Sequence, residues 1–252
     1  MTHSADPISD GHLFRPALQR LIPNTLFLVS FIFLIHAAIR FSGLLNPLFI
    51  PLSMVIIWPL PWLLSPKPSR RQLGFRAPVS AWWFLGGPAV ALLMLAFCFT
   101  AAWLIIGGTN DNWFVQHALT LHKSLGQTPA STSTLIQFGI VTIPAMLFSP
   151  LAEEFLYRGY LLRGLSNRWG LPAGMVTQAL AFTLVHLTHY GLVPYQPILI
   201  TVWLPCMFLA ALGFGWITQK SRSIWIAVLS HSVFNLGMNA VVFLAFPTLI
   251  EL

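Results

Sequence analysis

Long apolar runs separated by short polar segments limit the folds available to this sequence more than any other feature. A membrane-spanning helix needs about 20 mainly apolar residues, because the hydrocarbon layer is about 30 Å thick and each helical residue adds about 1.5 Å. Charged residues make up only 8% of the 252-residue chain, against about 25% in soluble domains. The sequence therefore predicts an all-α, polytopic integral membrane helix bundle surrounded by the lipid bilayer.

The apolar runs predict about seven spans, within a range of six to eight. They cover residues 25–41, 44–64, 82–106, a fourth run from about 134, and then 173–190, 197–217 and 224–246. The second run contains four prolines, which lack the N–H that a helix interior needs, so it is expected to be kinked, broken or re-entrant.

The polar stretch 107–133 predicts a short interfacial helix at 112–125. Its inward side chains are expected to be Trp113, Phe114, Leu119 and Leu121.

No internal repeat divides the sequence, so one integral domain is expected. Its predicted parts are a cytoplasmic N-terminal tail at 1–22, membrane helices with an outer loop at 23–133, a catalytic membrane core at 134–246 and a C-terminal tail at 247–252. The first 22 residues lack the basic, apolar and small-residue order of a cleavable signal, so the first span is expected to be an uncleaved anchor. Cys98 and Cys206 lie within apolar runs, which indicates packing rather than a disulfide or a zinc knuckle.

The basic residues predict the orientation of the bundle. Ten of the thirteen Lys and Arg residues fall on one side of the seven predicted spans, whereas Arg40 and Lys123 fall on the other and Arg158 lies near or within the membrane. Lys and Arg accumulate in cytoplasmic loops, so the N-terminus is predicted to be cytoplasmic. The same distribution accounts for the net charge of +7 without a nucleic-acid partner. With the short loops, it favours a bacterial plasma membrane.

Two adjacent carboxylates within the fourth apolar run mark the candidate site. Glu153 and Glu154 are two of only six acidic residues in the chain, and each costs about 3 kcal/mol in hydrocarbon on insertion scales. Arg158 follows Glu154 by four residues, which places both on one helical face and predicts an ion pair. Adjacent residues point about 100° apart, so Glu153 is expected to face the bundle interior instead.

Two further spans carry polar residues at helical spacing. Phe182 precedes His186 by four residues, and His231 precedes Asn235 by four. Counted from the cytoplasmic flanks at about 1.5 Å per residue, Glu153, His186 and Asn235 all lie roughly 20 Å into the membrane. One shared depth for three spans predicts a common site.

The residue types at this depth suit a hydrolase without a serine or cysteine nucleophile. Glu153 is the predicted general base, with His186 positioning a water molecule. His231 and Asn235 are donors suited to a developing oxyanion, although Asn235 is equally suited to holding two helices together. A zinc ion bound by Glu153, His186 and His231 is a further alternative. We expect no metal, because the two histidines lack the close spacing of ligands on one helix.

Two other histidines are expected to have no catalytic role. His36 is predicted to hydrogen-bond within the bundle, and His189 lies near a span end and is expected to face water. The sequence contains no HExxH zinc-protease motif and no GxSxG nucleophile elbow. Gly213-Phe-Gly215 is followed by Trp216, so the GxGD arrangement of intramembrane aspartyl proteases is absent as well.

Three motifs in order on successive spans resemble the CPBP family of intramembrane proteases. They are Glu153-Glu154-x-x-x-Arg158, Phe182-x-x-x-His186 and His231-x-x-x-Asn235. That family includes CAAX prenyl endopeptidases and bacterial proteins described as bacteriocin-processing or abortive-infection proteins. The resemblance covers about 134–239 and implies an all-helical core that hydrolyses peptide bonds. It also implies that Glu153 and His186 activate water, that His231 and Asn235 stabilise the oxyanion, and that Glu154 and Arg158 support the site.

The preferred hypothesis is an intramembrane glutamate-type endopeptidase. Its expected substrate is a membrane-associated or lipidated peptide or protein tail, whether a CAAX tail, a bacteriocin or a sorting tail. A non-catalytic immunity or adaptor protein that binds peptides is the first alternative. A proton-coupled transporter is the second, since Glu and His within spans also form proton relays. The sequence leaves the substrate and the oligomeric state open.

Overall fold

The computed structural model describes residues 13–125 and 134–245. Within these ranges the chain is helical and contains no β-strand. Its α-helices are α1 (Pro16–Leu21), α2 (Thr25–Ser42), α3 (Phe49–Ile57), α4 (Leu60–Leu64), α5 (Lys67–Gln72), α6 (Trp83–Ile106), α7 (Trp113–Leu125), α8 (Thr134–Glu153), α9 (Leu162–Trp169), α10 (Leu171–Val185), α11 (Pro197–Ser221) and α12 (Ile224–Ala245). A π-helical segment (Glu154–Leu161) joins α8 to α9, and a 3₁₀ turn (His186–Thr188) follows α10. Most of the predicted N-terminal tail, part of the outer loop and the C-terminal tail lie outside the described residues.

Six helical stretches in the described part of the chain are long and apolar enough to cross a membrane. They are Thr25–Ser42, Trp83–Ile106, Leu135–Trp169, Leu171–Thr188, Pro197–Ser221 and Ile224–Phe243. The prediction of a polytopic helical bundle is confirmed, with a span count at the lower end of the predicted range. The second apolar run is indeed broken: α3 and α4 are separated at Trp58 and Pro59, and neither alone approaches the length of a span.

The broken pair α3–α4 nevertheless returns the chain to the end where α2 begins. The backbone N–H of Arg15 donates to the Leu64 carbonyl at 2.7 Å, and its side-chain Nε donates to Leu63 at 2.7 Å. At the same end, Arg76 Nε donates to the Arg222 carbonyl at 2.7 Å. Segments that carry the predicted one-sided basic residues therefore meet at one end of the bundle.

Apolar side chains form two cores on either side of the candidate site. The first core joins α6, α7, α11 and α12, and the second joins α2, α3, the π-helical segment and α10. Glycine allows the closest helix approaches: a Cβ on Gly87 of α6 would lie 2.5 Å from Ser230 Oγ of α12. Small residues serve this purpose in membrane bundles, where packing rather than hydrophobicity drives helix association.

Helix α7 closes the first core from the side. Asn112 precedes the helix, and its Oδ1 accepts a hydrogen bond from the Phe114 N–H at 3.0 Å, as expected of an N-cap. Trp113, Phe114 and Leu121 are buried, as predicted. The prediction for Leu119 is wrong, because its side chain is 40% exposed.

Candidate active site

A cavity of about 300 Å³ lies between the two cores. The four residues predicted to be catalytic, Glu153, His186, His231 and Asn235, all line it. Most of the remaining wall is apolar and comes from α3, α8, α11 and α12, including Met54, Phe148, Met207, Phe214, Phe234 and Met238. The cavity thus combines one polar wall with an apolar interior, which is the usual character of a site for an organic ligand.

The π-helical segment places the two adjacent glutamates. Glu153 is the last residue of α8, and Glu154 is the first of the segment. The sequence argument assumed a continuous α-helix, whereas the wider π-helix, which often occurs at functional sites, changes the direction of the side chains. Both carboxylates reach the same imidazole from different sides: Glu154 Oε1 lies 2.8 Å from His231 Nδ1, and Glu153 Oε2 lies 3.8 Å from His231 Nε2.

Glu154 and Arg158 form a fully buried ion pair. Arg158 Nη1 lies 3.1 Å from Glu154 Oε1. The guanidinium also lies over the ring of Phe182, with 4.6 Å from Cζ to the ring centroid, and over that of Phe214 at 5.3 Å. Aromatic faces attract a cation, and more strongly when it is desolvated. Arg158 is therefore held by a carboxylate and two aromatic rings and supports the wall of the cavity from behind.

The contacts of His231 determine which of its nitrogens carries the proton. A carboxylate only accepts hydrogen bonds, so Nδ1 must donate to Glu154. In the neutral ring this leaves Nε2 unprotonated and directed toward Glu153. The ring stacks on Phe214 with 4.7 Å between centroids, which fixes its plane. A carboxylate that orients the imidazole in this way is the arrangement found in hydrolase triads.

His186 is held in the same tautomer by a backbone group. Its Nδ1 donates to the Phe182 carbonyl at 2.7 Å, which leaves Nε2 for the cavity. The Phe182 ring stacks on the imidazole at a centroid distance of 4.1 Å. Trp203 Nε1 donates to the His186 carbonyl at 3.2 Å, where α10 has given way to the 3₁₀ turn. Phe182 therefore orients His186 through both its ring and its carbonyl.

Asn235 lines the cavity while it also joins two helices. Its Nδ2 donates to the Ala145 carbonyl of α8 at 2.9 Å, which leaves one amide N–H for another acceptor. Nearby, Ser232 Oγ donates to the Met146 carbonyl at 2.7 Å. That carbonyl has no α-helical donor, because residue 150 is a proline and lacks an N–H. Helix α12 thus stabilises the proline-containing part of α8 beside the two glutamates.

The structure adds two residues that sequence reasoning did not place in the site. Arg40 was predicted to flank the first span on the outer side, and His189 was expected to face water. Arg40 is instead completely buried, and its Nη2 lies 2.6 Å from His189 Nε2. Both residues line the cavity. One signal could have revealed Arg40: it follows His36 by four residues, so the two polar side chains share a face of an otherwise apolar helix.

A second polar group in the cavity wall was also missed. His117 of α7 contacts Asn239 Oδ1 through Nε2 at 2.7 Å and the Tyr190 hydroxyl through Nδ1 at 2.9 Å. Asn239 Nδ2 donates to Thr142 Oγ1 at 3.2 Å. Burial lowers the pKa of His117, and the Asn239 contact partly offsets that effect. This network ties α7 to α12 and α8 at the end of the cavity next to α7.

Glu153, His186 and His231 are the three side chains that could bind a zinc ion in this cavity. Both histidines keep Nε2 for the cavity while Nδ1 is held by an acceptor, as in metal-binding histidines. Nowhere in the described ranges, however, do three His, Cys, Asp or Glu side chains come close enough to hold a metal ion. As they are arranged here, these three side chains do not fit a zinc ion.

Residues 134–237 match the family model described as Type II CAAX prenyl endopeptidase Rce1-like. This segment is similar to an Rce1-like domain. The resemblance to the CPBP family is thereby confirmed over the segment, which spans less than half of the chain and contains Glu153, His186, His231 and Asn235. Arg40 and His117 lie outside it. No curated protein and no solved structure matches the chain.

The Rce1-like family consists of intramembrane proteases of the CAAX type. Together with the six apolar helices, this match indicates that the chain is an integral membrane protein.

Proposed function

We propose that this protein is a glutamate-type intramembrane endopeptidase that needs no metal. One observation carries the proposal: the Glu153 carboxylate shares a cavity with two histidines whose Nδ1 protons are both committed to acceptors. Each imidazole therefore presents Nε2 to the same buried space. A carboxylate and two oriented imidazoles are the groups that water activation and proton transfer require.

The proposed reaction begins when Glu153 accepts a proton from a water molecule that His186 positions. The oxygen of that water forms a bond to the carbonyl carbon of the scissile peptide, whose oxygen becomes negatively charged. The free amide N–H of Asn235 donates to this oxygen, as does Nε2–H of His231 when both nitrogens of that ring are protonated. The carbon–nitrogen bond then breaks as the proton on Glu153 passes to the leaving amine. This returns the carboxylate to its starting state.

The apolar wall of the cavity favours a membrane-associated or lipidated peptide tail as the substrate. The methionine and phenylalanine side chains that surround the polar wall suit an apolar side chain or lipid chain. The family description of the matched segment names prenylated CAAX tails. We therefore propose a lipidated peptide with a scissile bond near its modified residue as the first substrate to test.

The test is cleavage of a farnesylated CAAX-type peptide by the purified protein in liposomes. We expect Glu153→Gln to lower kcat by about 10²- to 10⁴-fold, the usual contribution of a general base. Asp111→Asn is the matched control, because it removes a carboxyl group from the loop after α6 and should leave the rate unchanged. Wild-type cleavage that persists after dialysis against a chelator supports the metal-free mechanism. An unchanged rate in Glu153→Gln would show that this glutamate is not the base.

A further inference from the structure

Arg40 occupies an unusual place for an arginine. Only four residues of α2 are buried, namely Leu28, Val29, His36 and Arg40. The side chain of Arg40 is completely buried in a helix that is otherwise apolar enough to span the membrane. An arginine buried within a membrane-spanning helix is costly, and such residues are usually paired and functional. The question is which negative charge it compensates.

Two contacts orient the guanidinium. Nη2 lies 2.6 Å from His189 Nε2, and because arginine only donates, the histidine nitrogen must accept and carry no proton. On the other side, Nη1 lies 3.9 Å from Glu153 Oε1, within ion-pair range but too far for a hydrogen bond. No hydrogen-bond acceptor for Nε or Nη1 occurs among the described residues. His189 thus directs the cation toward the carboxylate without blocking it.

The buried charges divide into two pairs. Glu154 and Arg158 are 3.1 Å apart, which leaves Glu153 and Arg40 as the remaining opposite charges of the cluster. The charged and titratable groups that act electrostatically on Glu153 are Arg40 and His36 from α2, Tyr157 and Arg158 from the π-helical segment, His186 from the 3₁₀ turn and His231 from α12. Of these, Arg40 and Arg158 stay charged at every relevant pH, and Arg158 is already paired with Glu154.

We propose that Arg40 is a positioning residue for Glu153: its guanidinium, aimed by His189, is the counter-ion that keeps the Glu153 carboxylate ionised and directed into the cavity. This inference rests on the proposed function, in which ionised Glu153 accepts the proton of the attacking water. Arg40 lies outside the Rce1-like segment, so the first helix of the bundle completes a site whose other parts the domain supplies. The gap of 3.9 Å leaves the carboxylate free to accept that proton.

The kinetic test compares Arg40→Met, Arg40→Lys and the exposed control Arg168→Met on the farnesylated peptide in liposomes. Arg40→Met is expected to lower kcat by about 10²-fold, comparable with loss of a general base, and to leave KM nearly unchanged. The acid limb of its pH–rate profile should move to higher pH, because a carboxylate without its cation binds a proton more readily. Arg40→Lys should restore most of the rate and the wild-type profile. Arg168→Met should resemble the wild type.

A second substrate separates this role from recognition of a substrate carboxylate. If Arg40 binds the C-terminal carboxylate of the peptide, its replacement should raise KM for the free acid and have no effect on the C-terminal amide. That result would overturn the proposal. Equal losses in kcat for the acid and the amide, with the shifted acid limb, support it.

A spectroscopic measurement tests Arg40 without any substrate. Infrared titration follows the carboxyl band of Glu153, assigned by its loss in Glu153→Gln. We expect this band to appear at higher pH in Arg40→Met than in the wild type, and at the wild-type pH in Arg40→Lys. If Glu153 titrates at the same pH in folded Arg40→Met as in the wild type, the inference would be overturned even if the wild type cleaves the peptide. If the wild type does not cleave the peptide but the Glu153 titration is still shifted in Arg40→Met, only the proposed function would be overturned.

Discussion

At the scale of single residues, the site is built by giving each polar group one fixed partner and leaving one functional atom free. His186 and His231 each use Nδ1 for an acceptor and keep Nε2 for the cavity. Glu154 fixes two of these side chains, because its Oε1 contacts both Arg158 and His231. Fixed rotamers and tautomers matter because a catalytic group that must reorganise during the reaction loses much of its effect.

The buried pair of Glu154 and Arg158 is therefore expected to be essential for folding. Arg158→Leu leaves the buried Glu154 carboxylate with His231 Nδ1 as its donor and without its cation, and breaking such a pair costs about 3–5 kcal/mol. Denaturant unfolding in detergent should show a loss of that size. Arg168→Leu, in which an exposed arginine is removed, should change the free energy of unfolding by no more than about 0.5 kcal/mol. Equal effects of the two substitutions would contradict a structural role for Arg158.

The sequence predicted some of these residues and missed others for a physical reason. Glu153, Glu154, His186, His231 and Asn235 stand out because each breaks an apolar run near the same depth. Arg40 was missed because a cation at the end of a span is ordinarily a flank that reaches water. Its true position depends on how α2 packs against the π-helical segment and α10, and no local pattern encodes that packing.

At the scale of elements, the irregular backbone of the fourth span is where the site forms. Proline interrupts α8 at residues 144 and 150, and the helix passes into a π-helical segment at Glu154. Prolines free carbonyl groups that neighbouring helices must satisfy within a membrane. Ser232 of α12 does this for Met146, and Asn235 of the same helix donates to the adjacent Ala145 carbonyl. The irregularity therefore couples α8 to the helix that carries His231.

A double-mutant cycle tests this coupling. Ser232→Ala removes the donor to the Met146 carbonyl and should destabilise the protein by about 0.6 kcal/mol and at most about 1.7 kcal/mol, the average and the maximum measured for hydrogen bonds between membrane helices. In a Pro150→Ala background the new N–H of residue 150 can bond the same carbonyl, so Ser232→Ala should then cost almost nothing. Thermal unfolding of the four variants gives both values. An equal cost in both backgrounds would show that Pro150 does not create the need for Ser232.

Helix positions were predicted more reliably than helix irregularities. Length and apolarity sufficed to place the membrane helices, and four prolines sufficed to predict the break between α3 and α4. The π-helical segment has no such signature, because its sequence from Glu154 to Leu161 is compatible with an ordinary α-helix. Leu119 illustrates the same limit: its apolar character predicted burial, but the orientation of α7 about its own axis is set by Trp113, Phe114 and Leu121.

At the scale of the whole molecule, the bundle has two different ends. Backbone and side-chain contacts bring Arg15 to Leu63 and Arg76 to Arg222 at one end. At the other end, the loop after α6 meets the loop before α11, where Gln196 Nε2 donates to the Asn110 carbonyl at 3.4 Å. The polar layer of Glu153 and its partners lies between these ends, enclosed by the helices. The different charge of these two ends therefore allows a prediction of which end faces the cytoplasm.

We predict that the basic end is cytoplasmic, because Lys and Arg are retained on that side of a membrane. Exposed single cysteines at Arg71 and Lys220 should react with a membrane-impermeant maleimide only after the cells are opened. Cysteines at Thr109 and Val193, at the opposite end, should react in intact cells. Cys98 and Cys206 are buried, so wild-type protein serves as the unlabelled control. The reverse pattern would show that the basic end faces outward, and labelling of all four positions in intact cells would mean that the cells had leaked.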